Sequence, residues 1–452
     1  MSASWTQMGI VYFAAKTTFR CKERMSSSAI ENSTCYGDCV MYLYETEFEN
    51  TVISQWGLIC GKAWLANFIQ TVCMFGILVG SIIFGFVADR YGRRPAFLSA
   101  CVLQLVASLI EPFSPNYWTF TVIRFFLGIA TAGIMVVSFV ILMEVIGPSR
   151  REIMNSVYHI PLPLGIMVMP IFAYYLRSWN KFTFGVAVPN FLFLAYFFLV
   201  PESPKWLISM GKIKEASVVM ETIVKWNQLP RENMLERAKE IMIQSKLNER
   251  VKGETVKATY LDLITKRSLR IKNLLSCVTW FILGICFFGG TQYIGQTSTN
   301  VFLTMFMSGA LQGPGILLAG YTCRKIGRRA TIITLFIVCS ISNGFLAFSD
   351  DWYYIKLAAG SVATACGGAA FATIYMYTSE LFPTVARNMA IGASSTISRI
   401  GSMLAPFIAG LAVQGAWIPP TIFGIVPLIA AGASACLPET RGRQLTDYIV
   451  DN

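Results

Sequence analysis

Charge is scarce in this sequence. Asp, Glu, Lys and Arg supply 14% of the 452 residues while hydrophobic residues supply 54%, and histidine occurs once, at His159. A soluble chain carries about 25% charged residues, so a water-exposed globular fold is excluded. Catalytic chemistry is missing as well. There is no Gly-x4-Gly-Lys-Ser/Thr phosphate loop and no His-Glu-x2-His zinc motif, and a lone histidine at a membrane edge completes no Ser/His/Asp set. The sequence therefore indicates no enzyme, no cofactor and no metal. No cleavable signal peptide is apparent. The formal charge of +12 does not point to nucleic acid, because the basic residues fall in short loops and never form a stripe interleaved with aromatics.

What is present is apolar runs of bilayer length. Eleven lie near 63–88, 96–111, 117–143, 157–176, 182–200, 274–294, 299–320, 330–348, 354–378, 388–411 and 416–436. About twenty helical residues cross a bilayer core of about 30 Å. Val188-Pro189-Asn190 and Ala405-Pro406-Phe407 place proline inside such runs, where neighbouring helices re-satisfy the freed backbone. A twelfth run, Trp5 to Ala15, is half-length, about 16 Å of helix. It is either a helix without its front half or a re-entrant stub. The reading is an all-α integral membrane protein with a truncated first helix.

Lys and Arg cluster in Asp89-Arg90-Tyr91-Gly92-Arg93-Arg94, in Pro148-Ser149-Arg150-Arg151, in the stretch Lys205 to Arg270, and in Arg324-Lys325-Ile326-Gly327-Arg328-Arg329. With twelve spans these share one face, which the positive-inside rule makes cytoplasmic. The segment from residue 16 to 61 is then extracellular. It holds Cys21, Cys35, Cys39 and Cys60 and the sequon Asn32-Ser33-Thr34, as suits an oxidising, glycosylating compartment. Two disulfides are expected, with their pairing open. The other eight cysteines lack metal-ligand spacing and read as small core residues.

An internal repeat divides the chain. Gly85-x3-Asp89-Arg90-x-Gly92-Arg93-Arg94 returns as Gly320-x3-Arg324-Lys325-x-Gly327-Arg328-Arg329, offset 235. Glu144 with Arg150 returns as Glu380 with Arg387, the glutamates offset by 236, and Pro201-Glu202-Ser203 returns as Pro438-Glu439-Thr440, offset 237. Two homologous six-helix halves follow, 1–200 and 271–437, joined by a cytoplasmic loop 201–270 and followed by a tail 438–452. Repeats of this kind place a site near the midplane and permit alternating access by rocking. In the loops, Gly85 is expected to let two helices approach, Asp89 to cap a helix or pair with arginine, and Arg93 and Arg94 to pair with Glu144 or Glu202. Such contacts would lock the cytoplasmic side in an outward-facing state; the plainer reading has the arginines anchor to headgroups. The joining loop is mixed in charge and reads as short amphipathic helices.

The first loop resembles the signature of the major facilitator superfamily, and its recurrence resembles that superfamily's second copy. Further segments resemble solute carrier family 22, the organic cation, anion and carnitine transporters: Ser54-Gln55-Trp56-Gly57-Leu58-Ile59-Cys60, Arg124-Phe125-Phe126-Leu127-Gly128, Glu144-Val145-Ile146-Gly147-Pro148, Pro201-Glu202-Ser203-Pro204-Lys205-Trp206-Leu207, Tyr377-Thr378-Ser379-Glu380-Leu381-Phe382-Pro383-Thr384 and Ser398-Arg399-Ile400-Gly401-Ser402. The resemblance implies the major facilitator fold, plasma-membrane residence and transport of a small organic ion. Sugar carriers share the paired loops, but their Gln-Gln-x-x-Gly-x-Asn signature is replaced here by Trp280-Phe281-Ile282-Leu283-Gly284-Ile285-Cys286-Phe287-Phe288-Gly289-Gly290.

Arg399 falls near the middle of the eleventh run, where an unpaired arginine costs roughly 2.5–3.5 kcal/mol. It should face a cavity or a partner, and the acids Glu111, Glu144 and Glu380 stand at helix ends. The sharp reading is that Arg399 attracts the carboxylate or sulfate of an anionic or zwitterionic substrate; the plain one is an arginine bonded to carbonyls. The resemblance favours the first, since cation-selective members carry an acid there. Gln312, where those members commonly place Glu, likewise removes negative potential. Phe287, Phe288, Tyr293 and Tyr375 could line the cavity. Arg124 is expected to order helices around it. His159 more simply ends a hydrogen-bond chain than carries a coupling proton. Arg324 replaces the acid of the loop motif, which leaves a second class open: a non-transporting membrane protein that keeps the fold.

Overall fold

A computed structural model describes the chain except residues 16, 25–34, 36–38, 148–149, 229–232, 253–261, 299, 349–351, 384–385 and 443–452. The sequon at Asn32 lies outside the described residues. Eleven helices among the described residues are long and apolar enough to cross a membrane. We number the first-half helices α1 (Ser2–Met8), α2 (Trp64–Tyr91), α3 (Arg93–Ile110), α4 (Tyr117–Val145), α5 (Pro161–Tyr175) and α6 (Trp179–Ala187). The second half holds α7 (Arg267–Thr297), α8 (Val301–Lys325), α9 (Arg328–Phe348), α10 (Tyr353–Leu381), α11 (Arg387–Gly410) and α12 (Ile418–Ala435).

Several boundaries depart from the apolar runs for local reasons. α7 begins at Arg267, inside the polar stretch, because a helix continues as long as its backbone bonds do, beyond the end of its apolar face. The fifth run is split into Arg151–His159 and α5, with Pro161 at the start of α5, where its missing N–H costs no bond. The joining loop carries the expected short helices at Pro204–Ser209, Ile213–Trp226 and Met234–Lys252.

The half-length first run forms α1 and a further turn, Ile10–Phe13. It is buried in the first half. Trp5 Nε1 donates to the Gly165 carbonyl at 2.9 Å, and Gln70 Nε2 donates to the Gln7 carbonyl at 2.6 Å. Helices α2 and α4 meet at glycines: a Cβ on Gly76, Gly80 or Gly128 would strike the facing backbone at 2.2–2.4 Å. At Gly85 it would meet open space, so the close approach lies deeper in the helix than the loop motif suggested.

The cysteine-bearing segment adds a feature the helical reading lacked, an antiparallel hairpin of β1 (Thr18–Arg24) and β2 (Cys39–Glu45). Cys21–Cys39 crosses it, and Cys35–Cys60 ties it to the approach to α2. Next to it, the Ser54 to Gly57 segment gains physical meaning. Thr51 and Ser54 form a capping box, Gln55 Oε1 accepts from Trp179 Nε1 at 2.5 Å, and Trp56 packs among Tyr117, Phe120 and Trp179. Gly57 ends the turn at φ +60°, a conformation that costs glycine nothing.

Candidate functional site

The repeated loops fold into two matching clusters. In the first half, Arg93 pairs with Asp89 at 3.1 Å and with Glu144 at 3.3 Å, and donates to the Ala88 carbonyl at 2.7 Å. Glu202 accepts from the backbone N–H groups of Arg93, Arg94 and Ser203, and the Arg94 side chain donates to the Phe197 carbonyl. In the second half, Arg328 pairs with Glu380 at 3.0 Å and donates to the Cys323 carbonyl. Glu439 accepts from the N–H groups of Arg328, Arg329, Thr440 and Arg441. Burial opposes ionisation of Glu439, but these four donors outweigh it and hold its carboxyl below the ordinary range.

Gly92 and Gly327 sit at φ +115° and +104°, and a Cβ on either would lie 2.5 Å from the carboxylate of Glu202 or Glu439. The loop thus needs glycine twice over, for its backbone and to admit the glutamate. These clusters lie within each half. Arg93 thus meets Glu144, and the backbone of Arg93 and Arg94 meets Glu202, the acids named for that loop, with each ion pair set inside one copy of the repeat. Glu144 takes Arg93 as its ion-pair partner, and Arg150 is exposed at the start of Arg151–His159. Arg90 lies over the rings of Phe86 and Tyr91, and Arg387 opens α11.

The halves meet along α5 and α8, where a Cβ on Gly309 would lie 2.5 Å from the Met167 backbone. They also meet nearer the basic face, where Asn155 Nδ2 donates to the Ala372 carbonyl at 3.5 Å, and toward the cysteine-bearing face. Thr71 Oγ1 donates to the Met403 carbonyl at 2.9 Å, Gln292 Nε2 donates to Asn67 Oδ1 at 3.3 Å, and Tyr12 stacks on Phe302.

At mid-depth, α10 and α11 bring together part of the expected group. Half-buried Arg399 has Tyr375 as its electrostatic neighbour, and Tyr375 lies 3.5 Å from Ser395 Oγ, against the ring of Trp280 at 4.5 Å and that of His159 at 5.9 Å. No carboxylate among the described residues reaches Arg399 at ion-pair distance. Phe287 and Phe288 are buried against Phe371. Gln312 is fully buried, with neither amide atom hydrogen-bonded. Tyr293 stands apart: its hydroxyl donates to the Ala416 carbonyl and its ring faces Phe423, a structural pin toward the cysteine-bearing face.

His159 Nδ1 contacts the Asn155 carbonyl at 2.7 Å. Tyr158, which the sequence did not single out, joins the same group and donates to the Met135 carbonyl. Only its position beside His159 could have signalled it.

Glu111 stands at a helix end, and its burial there is what the sequence did not show. It ends α3 but is buried, paired with Arg124 at 3.3 Å, and Arg124 in turn donates to the Thr6 carbonyl and lies over the Phe13 ring at 4.8 Å. Arg124 therefore fastens α1 and the turn after it to α3 and α4.

Comparison with known proteins agrees with this architecture. The family model described as sugar (and other) transporter matches residues 9–449. The organic cation transporter protein of Drosophila melanogaster is 30% identical, covering 95% of this chain and 79% of that one. The human organic cation/carnitine transporter 2 is 30% identical over 88% of this chain and 71% of its own, and solute carrier family 22 member 3 of Rattus norvegicus is 30% identical over 90% and 72%. The inward open xylose transporter XylE from E. coli superposes with a TM-score of 0.68 at 18% identity, covering 85% of this chain and 88% of that one. The fold and the paired loops define a major facilitator of two pseudo-repeated six-helix halves. The chain belongs to the sugar (and other) transporter family and, within it, to solute carrier family 22. It is a multi-pass membrane protein of the transporter class and not an enzyme.

Proposed function

We propose that this chain carries small organic ions across the plasma membrane by alternating access, with an anionic or zwitterionic substrate favoured over a cation. The observation that carries this reading is Arg399, a guanidinium inside a membrane helix with no carboxylate at ion-pair distance among the described residues. A desolvated cation without a counter-charge is costly, and an anionic group of the substrate would supply one. Tyr375, Phe287, Phe288 and the unsatisfied amide of Gln312 add aromatic surface and hydrogen-bonding capacity nearby. In this reading the basic face is cytoplasmic, the hairpin extracellular and Asn32 glycosylated. The clusters around Arg93 and Arg328 keep each half rigid as the halves rock, and Tyr293 is a pin.

A cationic substrate is the second reading, favoured by the names of relatives that are organic cation transporters. Uptake of a radiolabelled organic cation, an organic anion and carnitine into oocytes separates the two, comparing this chain with Arg399→Ala. Anion or carnitine uptake lost at least about tenfold in the variant is the expected result, as one lost ionic contact is worth about 1.5–3 kcal/mol. Cation uptake indifferent to the substitution would make Arg399 structural, and no uptake by a chain shown at the surface would favour a non-transporting protein.

A further inference from the structure

Near the cysteine-bearing face each half places a knob in the other. The knob of the second half is Phe302, in the first turn of α8. It stands among three rings of the first half, with centroids 6.1 Å from Tyr12, 5.7 Å from Phe48 and 5.6 Å from Tyr174, and the Arg177 guanidinium lies over it at 5.2 Å. These four residues come from three segments: the turn after α1, the stretch that follows β2, and the end of α5 with the loop beyond. Hydrogen bonds hold the last two together. The Glu49 N–H donates to the Arg177 carbonyl at 2.9 Å, Arg177 Nη1 donates to the Glu47 carbonyl at 3.1 Å, and the Trp179 N–H donates to the Asn50 carbonyl at 3.1 Å. The cage is therefore a built part of the first half, and Phe302 enters it from the second.

The knob of the first half is Val11, fully buried and from the same turn as Tyr12. Gly295 of α7 makes room for it, since a Cβ there would lie 2.5 Å from Val11 Cγ1 and 3.2 Å from Met305 Sδ. The Tyr12 hydroxyl is buried without a hydrogen-bond partner among the described residues, a cost that water would relieve if the halves parted on this side. Ring contacts, and a cation over a ring face, oppose that parting.

We infer that Phe302 is a latch: seated in the cage of Tyr12, Phe48, Tyr174 and Arg177 it holds the cysteine-bearing face closed, and it leaves the cage each time that face opens. The inference rests on the rocking of the halves proposed above and is independent of which substrate is carried.

The test reads opening without reading transport. Val11→Cys places a thiol at the seam beside the cage, and the full-length protein in nanodiscs is treated with a charged methanethiosulfonate reagent while modification at position 11 is followed by mass spectrometry. Phe302→Ala in that background should speed modification about tenfold, and Phe48→Ala, which removes one of the ring contacts, about threefold. Once Phe302 is gone, adding Phe48→Ala should do little more, because the contact it removes is already lost. Phe306→Ala, one turn further along α8 and 41% exposed, should change nothing. Cys73, fully buried in α2 of the first half, should stay unmodified throughout. Modification of Cys73 rising together with that of position 11 would mean that the half itself has loosened, and equal acceleration by Phe306→Ala would mean that any loss of bulk from α8 suffices; either overturns the latch. An unchanged rate in Phe302→Ala also overturns it. If position 11 is then modified slowly in every variant, the halves still open and the rocking stands without the latch; if it is never modified, the rocking falls as well.

Discussion

Arg124 and Arg399 both lie inside membrane helices, and their surroundings give them different work. Arg124 is 2% exposed and its charge is met by Glu111, the Thr6 carbonyl and the Phe13 ring. Removing it leaves a buried carboxylate alone, so Arg124→Ala should destabilise the protein by about 3–5 kcal/mol, read as a lowered melting temperature in detergent. A double variant with Glu111→Gln should recover part of that loss, because the residual charge is gone. Arg399 lacks such a partner, and its replacement should therefore act on uptake more than on melting. The arginine in the fourth apolar run was legible in the sequence as a residue that orders helices. Its acid was not, because Glu111 is adjacent to the end of a run and only the packing of α3 against α4 shows it to be buried.

At the scale of elements, the loops between α2 and α3 and between α8 and α9 repeat in bonding as well as in letters. The glutamates of the Pro-Glu-Ser/Thr segments, Glu202 and Glu439, cap the starts of α3 and α9 by accepting backbone N–H groups that those helices leave unbonded. The glycine before each cap has a positive φ that other residues rarely adopt. Gly92→Ala should cost about 1–3 kcal/mol and displace Glu202, whereas Gly85→Ala, facing open space, should change stability by less than about 0.5 kcal/mol. Thermal melting of the two variants side by side decides this. The motif letters identified the loop. Which of its glycines is sterically required depended on backbone angles and on where Glu202 returns, a contact between residues more than a hundred positions apart.

For the whole molecule, the state of the halves is the main tertiary result. The named contacts between Thr71 and Met403 and between Asn67 and Gln292 close the cysteine-bearing face, while the motif ion pairs stay within halves. If the halves rock, those contacts must break in each cycle. Cysteines introduced as Thr71→Cys with Met403→Cys and joined by a short bifunctional reagent should stop uptake, with recovery when a cleavable linker is cut. Uptake unaffected by complete cross-linking would rule out motion at that seam. The sequence by itself determined the membrane class, eleven of the spans, the basic face, the two-fold repeat and the family, because each is written in local hydropathy or in short segments of fixed spacing. Only the tertiary structure decided the disulfide pairing, the burial of Glu111, the separation of Tyr293 from Arg399 and the cage around Phe302. Those depend on which faces of distant helices meet, and helix packing is set by side-chain shape across many residues, where no single stretch of sequence carries the information.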